Sequence, residues 1–374
     1  MSPSTHPHPH PHTHTPTHLT RRAALGAGLG ISVWLGSGCS PRSSLEPSAN
    51  RGVLSFGGLT MGSSYGVKIA TPGLGASGLA AAQAAVAQAL SEVVALMSHY
   101  EPSSELSRLN HHAVGRPLAV SAATIQVFNA AQAVHLASGG AFDVALGAAV
   151  EAWGFGVSRR PGQAADRLPD SGTLLALQRR TGEPALALDA QAGTVTRLSP
   201  VLANLSGIAK GYGVDLAALA LERLGIVDYL VEVGGEIRTL GRNGQGQPWR
   251  LAIERPDVLP QQALRIVPLS GRALATSGDY RNFFMQGGRR YSHEIDPVSA
   301  APVKHALASV SVVADNCMQA DAWSTALFVL GPQRGPQIAA QQGLAAHFVL
   351  RHADGRLVER SSPAFDALSA SAAA

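Results

Sequence analysis

Asp228-Tyr229-Leu230-Val231-Glu232-Val233-Gly234-Gly235-Glu236-Ile237-Arg238-Thr239-Leu240 is the stretch that decides the fold. Two β-rich runs, 228 to 233 and 236 to 240, flank a polar glycine turn, which predicts paired antiparallel strands. Outward from it, further strands are predicted at 185 to 189, 194 to 197, 249 to 254, 264 to 268, 308 to 313 and 346 to 351. Leu, Val and Ala at helical spacing predict helices over 78 to 97, 121 to 137, 144 to 153, 172 to 180, 208 to 224 and 318 to 330. Near the front, Val53 to Phe56 and Tyr65 to Ala70 alternate as a hairpin, with 57 to 64 as its connection. Runs of strands broken by single helices predict an α+β fold with mixed, mainly antiparallel sheets flanked by helices.

With 374 residues, 45% hydrophobic and 14% charged, the chain can fill a large core, as one bilobed unit or two domains. Its 29 basic and 25 acidic residues leave a formal charge of +4, and the arginines are scattered, so no nucleic-acid partner is expected. Lysine is confined to Lys68, Lys210 and Lys304, which makes each of them a chemical question. Cys39 and Cys317 form neither a disulfide framework nor a zinc spacing.

The first 39 residues read separately. A Ser, Thr, Pro and His tract to His18 is too polar to pack. Thr20-Arg21-Arg22 then precedes an uncharged run, Ala23 to Gly38, shorter than the ~20 residues a spanning helix needs. The paired arginines resemble a twin-arginine export leader, and Leu35-Gly36-Ser37-Gly38-Cys39 resembles a lipobox. The expectation is export to the periplasmic side of the inner membrane, with Cys39 either lipidated or lost with a cleaved signal. Residues 40 to 52 read as a linker, 53 to 355 as the folded domain and 356 to 374 as a small-residue tail.

Within the domain, Asn204-Leu205-Ser206-Gly207-Ile208-Ala209-Lys210-Gly211-Tyr212 sets a glycine-punctuated turn ahead of a helix. Free N–H groups and the positive dipole end there favour an anion, and Lys210 in the first turn either meets a negative ligand or is solvated. Asp321 and Thr325 stand i and i+4 on a helix, presenting a carboxylate and a hydroxyl on one face. These are hard donors of the kind Mg2+ takes, or else an ordinary capping and back-bonding pair. Tyr291-Ser292-His293-Glu294-Ile295-Asp296-Pro297 closes a strand, where His293 suits a general base and Asp296 orients it or the loop. Ala275 to Asn282 and Val233 to Glu236 read as polar turns lining a cleft.

In order and wording, these segments resemble the ApbE family of FAD:protein FMN transferases over about residues 55 to 350. The resemblance rests on Thr60-Met61-Gly62, Met97-Ser98-His99-Tyr100, Ser104-Glu105-Leu106-Ser107-Arg108-Leu109-Asn110, Gly140-Ala141-Phe142-Asp143 and Trp153-Gly154-Phe155-Gly156. It continues through Ser206 to Gly211, Gly234-Gly235-Glu236, Thr276-Ser277-Gly278-Asp279-Tyr280, His293 to Pro297 and Asp321 to Thr325. It implies an enzyme that takes FAD with Mg2+, releases AMP and links FMN to a Thr or Ser of a redox subunit. Met61, Tyr100, Ala141, Phe142, Asp143, Asn204, Lys210 and Ile295 would contact FAD. The Gly207 carbonyl, Asp321 and Thr325 would hold the metal, making Asp321 catalytic together with His293, the base. Tyr100 and Phe142 would offer ring faces to the flavin or adenine.

Three positions depart from the family wording: Asn204 for an acidic residue, Val298-Ser299-Ala300 after Asp-Pro, and Ser63 for Thr. The alternatives are an FAD pyrophosphatase, with water as acceptor, and a flavin-binding lipoprotein without chemistry.

Overall fold

Burial along Tyr229–Val233 shows where the main sheet lies. Tyr229, Val231 and Val233 pack into one apolar cluster and Leu230 into another, so this strand is covered on both faces. The computed structural model describes residues 52–157, 168–178, 184–257 and 259–371. Its main sheet has eight strands: β1 (Leu54–Thr60), β2 (Ser63–Ile69), β3 (Tyr229–Val233), β4 (Glu236–Leu240), β5 (Ala273–Gly278), β6 (Leu307–Ala314), β7 (Ala345–Arg351) and β8 (Leu357–Ser361). They lie side by side in chain order, and each neighbouring pair is antiparallel.

Three helices cover one face: α1 (Ala76–Met97), α2 (Ala209–Arg223) and α3 (Cys317–Gln341). By length and composition α1 could cross a membrane, yet its Ala82, Val86 and Leu90 pack with Val214, Ala217 and Leu221 of α2. On the other face sit the strand pair Trp249–Glu254 with Ala263–Leu269 and a C-terminal helix, Pro363–Ser371. A small sheet, Pro117–Ala119 with Thr194–Arg197 and Leu186–Asp189, joins the helix Ala122–Ala137 beside α3.

Several expectations change. The connection expected over 57 to 64 is strand for most of its length. Only Met61 (φ 47°) and Gly62 (φ 71°) remain as the turn, a left-handed pair that matches hairpin twist. Residues 275 to 278, expected in a polar turn, instead belong to a central strand, Ala273–Gly278. The tail is instead β8 and the helix Pro363–Ser371, anchored by the fully buried Phe365. Past 330, α3 continues through a break at Gly331 (φ 76°), so Pro332 begins a second helical run instead of ending the first. A short helix, Glu105–His111, was not expected. Ser104 caps it by accepting from the Ser107 N–H. The leader and Cys39 lie outside the described residues.

Candidate active site

Two helix starts meet at one corner of the main sheet. The turn at Leu205-Ser206-Gly207-Ile208 leads into α2, and α3 begins at Cys317. Gly211 lets them touch: a Cβ there would lie 2.3 Å from the Cys317 carbonyl oxygen and 2.8 Å from Asp321 Cβ. At that approach the Gly211 N–H donates to Asp321 Oδ2 at 2.9 Å. Asp215 of α2 accepts from the Cys317 and Met318 N–H groups, each at 2.9 Å, satisfying donors that the first turn of α3 leaves free.

Asp321 and Thr325 both face this corner, as their spacing predicts. A Cβ on Gly207 would stand 3.2 Å from Thr325 Oγ1, whose other neighbour is Ser277 Oγ at 3.0 Å. Asp321 is only 3% exposed. Burial pushes its carboxyl above the ordinary range, and the nearby Lys210 ammonium offsets part of that. Lys210 gives its hydrogen bond to Glu236 Oε1, at 2.5 Å. The first-turn lysine thus has an internal carboxylate, a partner the sequence reading did not consider. Burial works to lower its pKa, but Glu236 and Asp321 outweigh that and keep it charged. Glu236 is buried and its Oε2 has no hydrogen-bond partner.

Among the described residues no three His, Cys, Asp or Glu side chains converge as a metal cage. The corner offers one buried carboxylate, a hydroxyl and a backbone carbonyl, a sparse oxygen set that suits Mg2+ when phosphate oxygens complete the shell. Asp321 and Glu236 are buried, Lys210 is bonded to Glu236, and Glu236 Oε2 is left without a partner, so the corner fits an added cation.

The second part of the site is an aromatic wall. Phe155 meets His293 edge-on at 6.3 Å between ring centroids, and it lies 5.5 Å from Phe284, which stacks on Tyr291. Trp153 donates its indole N–H to the Ala300 carbonyl at 2.7 Å, fixing the turn that departs from the family wording. Asp296 accepts from the Val298 N–H and the Ser299 hydroxyl, so it orients this loop and not the imidazole. His293 Nδ1 lies 3.1 Å from the Asn282 carbonyl. Because a carbonyl only accepts, the ring proton sits on Nδ1, and the lone pair is on Nε2. Burial pushes the imidazole pKa down to about 4, the Asn282 hydrogen bond raises it and the Lys210 charge lowers it further, so His293 is neutral at pH 7. Glu294 Oε1 lies 3.5 Å from Nε2. Burial raises that carboxyl to about 8, with Lys210 opposing and Asp279 assisting.

The other predicted residues distribute around these two parts. Phe142 joins the helix corner, 3.2 Å from where a Gly207 Cβ would be, but at 4% exposed it has no open ring face. Ala141 beside it is partly exposed. Asp143 Oδ1 accepts from Ala145 N–H, and Asn204 Oδ1 from Ser206 N–H, each at 2.8 Å. The Asn204 N–H ties the two loops together by donating to Val144 O at 2.7 Å. Met61, at the hairpin tip, reaches α2 at Gly213. Tyr100 is 59% exposed and donates its hydroxyl to Phe155 O at 3.2 Å, which ties it to the aromatic wall. Ile295 is buried within the aromatic wall. The sequence places Glu236 in a cleft-lining turn and Glu294 beside the base, but it assigns neither of them a contact; the Lys210 and His293 partners appear only in the fold.

An antiparallel α+β scaffold that brings a hard-donor corner and a lysine together with a neutral histidine has the make-up of a group-transfer enzyme for phosphate-bearing substrates. More particularly, the chain belongs to the ApbE family, whose sequence pattern matches residues 61–348. A Haemophilus influenzae protein named FAD:protein FMN transferase is 38% identical over 321 residues, 84% of this chain and 91% of the relative. One of the same name from Vibrio cholerae is 41% identical over 300 residues, covering 80% and 87%. The crystal structure of Pseudomonas stutzeri flavinyl transferase ApbE in its apo form superposes with a TM-score of 0.76 at 38% identity, over 85% of this chain and 96% of that one.

Proposed function

We propose that this protein transfers FMN from FAD to a Thr or Ser hydroxyl of an acceptor protein and releases AMP, with Mg2+ held by the Gly207 carbonyl, Asp321 and Thr325. The observation that carries the reading is the corner itself, where a buried carboxylate without a cation of its own faces Thr325 and Gly207 beside Lys210. The ion, when bound, neutralises charge on the diphosphate oxygens. Lys210 and the start of α2, which has no side-chain cap, receive the diphosphate. Met61, Ala141, Phe142, Asp143 and Asn204 border that corner, while Tyr100 and Ile295 place the rest of FAD along the aromatic wall.

Catalysis by the chain's own groups then follows from the tautomer. His293 Nε2 takes the proton of the acceptor hydroxyl, whose oxygen bonds to the FMN phosphorus. The bond from that phosphorus to the bridging oxygen breaks, and AMP leaves with the electron pair. A negative diphosphate beside Lys210 offsets the charge that depresses His293, which brings the imidazole closer to working pH. Export through residues 1–39 and attachment at Cys39 would place this reaction on the periplasmic side of the inner membrane, where a membrane redox subunit is the acceptor.

The test is incubation of the mature protein with FAD and Mg2+, with and without a candidate acceptor domain, followed by intact mass and AMP detection. An FMN-sized gain on the acceptor with matching AMP supports the transferase. AMP without that gain makes water the acceptor, and neither product leaves a flavin-binding protein.

A further inference from the structure

A polar hollow, about 190 Å3, opens beside the aromatic wall, lined by Asp279, Arg289, Arg290, Ser292, Lys304 and His305 among others. One side is the strand Arg289–Ser292, which runs directly into His293, and the other is the segment around Val303, whose N–H donates to Glu294 O at 3.0 Å. The hollow therefore abuts the stretch that carries the base, and its Ser292 is the residue immediately before His293. Its Asp279 is close enough to act on the His293 charge.

Its charges do not cancel. Asp279 and Asp257 are taken up by Arg351 and Arg290: Arg351 Nη2 lies 2.7 Å from Asp279 Oδ1, and Arg290 Nη1 lies 2.9 Å from Asp257 Oδ1. Arg289 and Lys304 have no acidic partner among the described residues. Arg289 is steadied instead by the Tyr291 ring, 5.2 Å from its guanidinium carbon. Ser292 is 3% exposed, and its hydroxyl has no hydrogen-bond partner. A buried donor left without a partner costs free energy, so the hollow suits a ligand that supplies oxygen acceptors and negative charge. FAD brings its charge to Lys210 and α2, at the other part of the site, which leaves the acceptor as the molecule that must approach His293.

We propose that this hollow seats an acidic side chain of the acceptor protein, next to the hydroxyl that receives FMN. The proposal rests on the transferase reading for the identity of the occupant. Arg289 and Lys304 supply the attraction, the Ser292 hydroxyl gains its missing acceptor, and the seated carboxylate fixes which hydroxyl lies against Nε2.

The test uses fluorescent Thr-containing peptides of equal length whose flanks carry Asp, Asn or Lys, titrated against the FAD-loaded protein by anisotropy. The Asp-flanked peptide should bind at least tenfold more tightly than the Asn-flanked one, a difference that shrinks with salt. In the double variant Arg289→Glu/Lys304→Glu that difference should disappear and the Lys-flanked peptide should gain, with FAD affinity by flavin fluorescence as the check on folding. Equal binding of the three peptides overturns the proposal, as does an Asp preference that survives the double variant. So does a variant that loses binding to anionic phosphatidylglycerol vesicles while its peptide preference is intact. Mass analysis of the same peptides separates the two readings: charge-selective binding without FMN transfer to any hydroxyl keeps the docking hollow and removes the transferase.

Discussion

The helix corner and the aromatic wall achieve their geometry by different means. At the corner, two long helices are locked by backbone contacts that leave no room for a methyl group at Gly211, and Asp215 bonds α2 to the first turn of α3. The wall is made of short strands, Phe283–Gln286, Arg289–Ser292 and Ile295–Asp296, held by ring stacking and the Trp153 bond to Ala300. A donor set for a cation needs positions fixed to a fraction of an ångström, which helix backbone supplies. The wall must admit a second macromolecule, and short strands with partly exposed rings give it an accessible edge.

The largest test of this contrast is Asp321→Ala. It removes the only carboxylate of the corner's donor set, so AMP release in the presence of Mg2+ should fall at least about 10³-fold. The Mg2+-dependent rise in melting temperature should go with it. If either readout stays at the wild-type level, the ion does not sit at this corner. His293→Ala probes the wall and should act differently. Transfer should drop by about 10²- to 10⁴-fold, the usual worth of a positioned base, while FAD and Mg2+ still bind, as followed by flavin fluorescence. Comparable loss of FAD affinity in both variants would erase the distinction between the two parts.

How far the sequence disclosed each part follows from the same difference. The corner announces itself because close backbone approach demands glycine, and because Asp321 and Thr325 keep helical spacing whatever surrounds them. The pairing of β3 with β4 is legible in alternation around Gly234-Gly235. The strand Ala273–Gly278 is not, because Ser277 points inward to bond Ser324 and Thr325, and a polar residue that serves the site breaks the apolar pattern used to recognise strands. Glu236 and Glu294 escaped for a related reason: their burial is produced by chain segments distant in sequence, to which local periodicity is blind. The C-terminal helix is anchored by Phe365 with Leu368 beside it, two large apolar side chains in a stretch rich in Ala and Ser, too few to show a helical period.

Glu294 gives a third, smaller contrast, read in stability. Its carboxyl is pushed from 4.5 in a free chain up to about 8 by burial, so the folded protein holds this proton more tightly than the unfolded chain does. The resulting stabilisation is complete below about pH 4.5 and is lost as pH rises through about 8. Between pH 6 and 9 the metal-free wild type should therefore lose melting temperature more steeply than Glu294→Gln, whose amide cannot ionise. Parallel curves for the two proteins would mean that Glu294 is ionised in the folded state, and the wall would then be more hydrated than its burial implies.

The smallest expected effect returns to the corner through Ser277→Ala. Its hydroxyl lies 3.0 Å from Thr325 Oγ1 and 2.9 Å from Ser324 Oγ, in a part of β5 where no water-exposed alternative is at hand. Removing it deletes hydrogen bonds worth about 1 kcal/mol each at most, and it frees the Thr325 hydroxyl to rotate. Because Thr325 is one of few donors at the corner, the change should appear as a severalfold rise in the Mg2+ concentration for half-maximal AMP release, with the rate at saturating Mg2+ nearly unchanged. A fall in the saturated rate with unaltered Mg2+ dependence would place Ser277 in contact with the reacting groups instead of behind Thr325, and the corner would then extend from the two helices into the central strand.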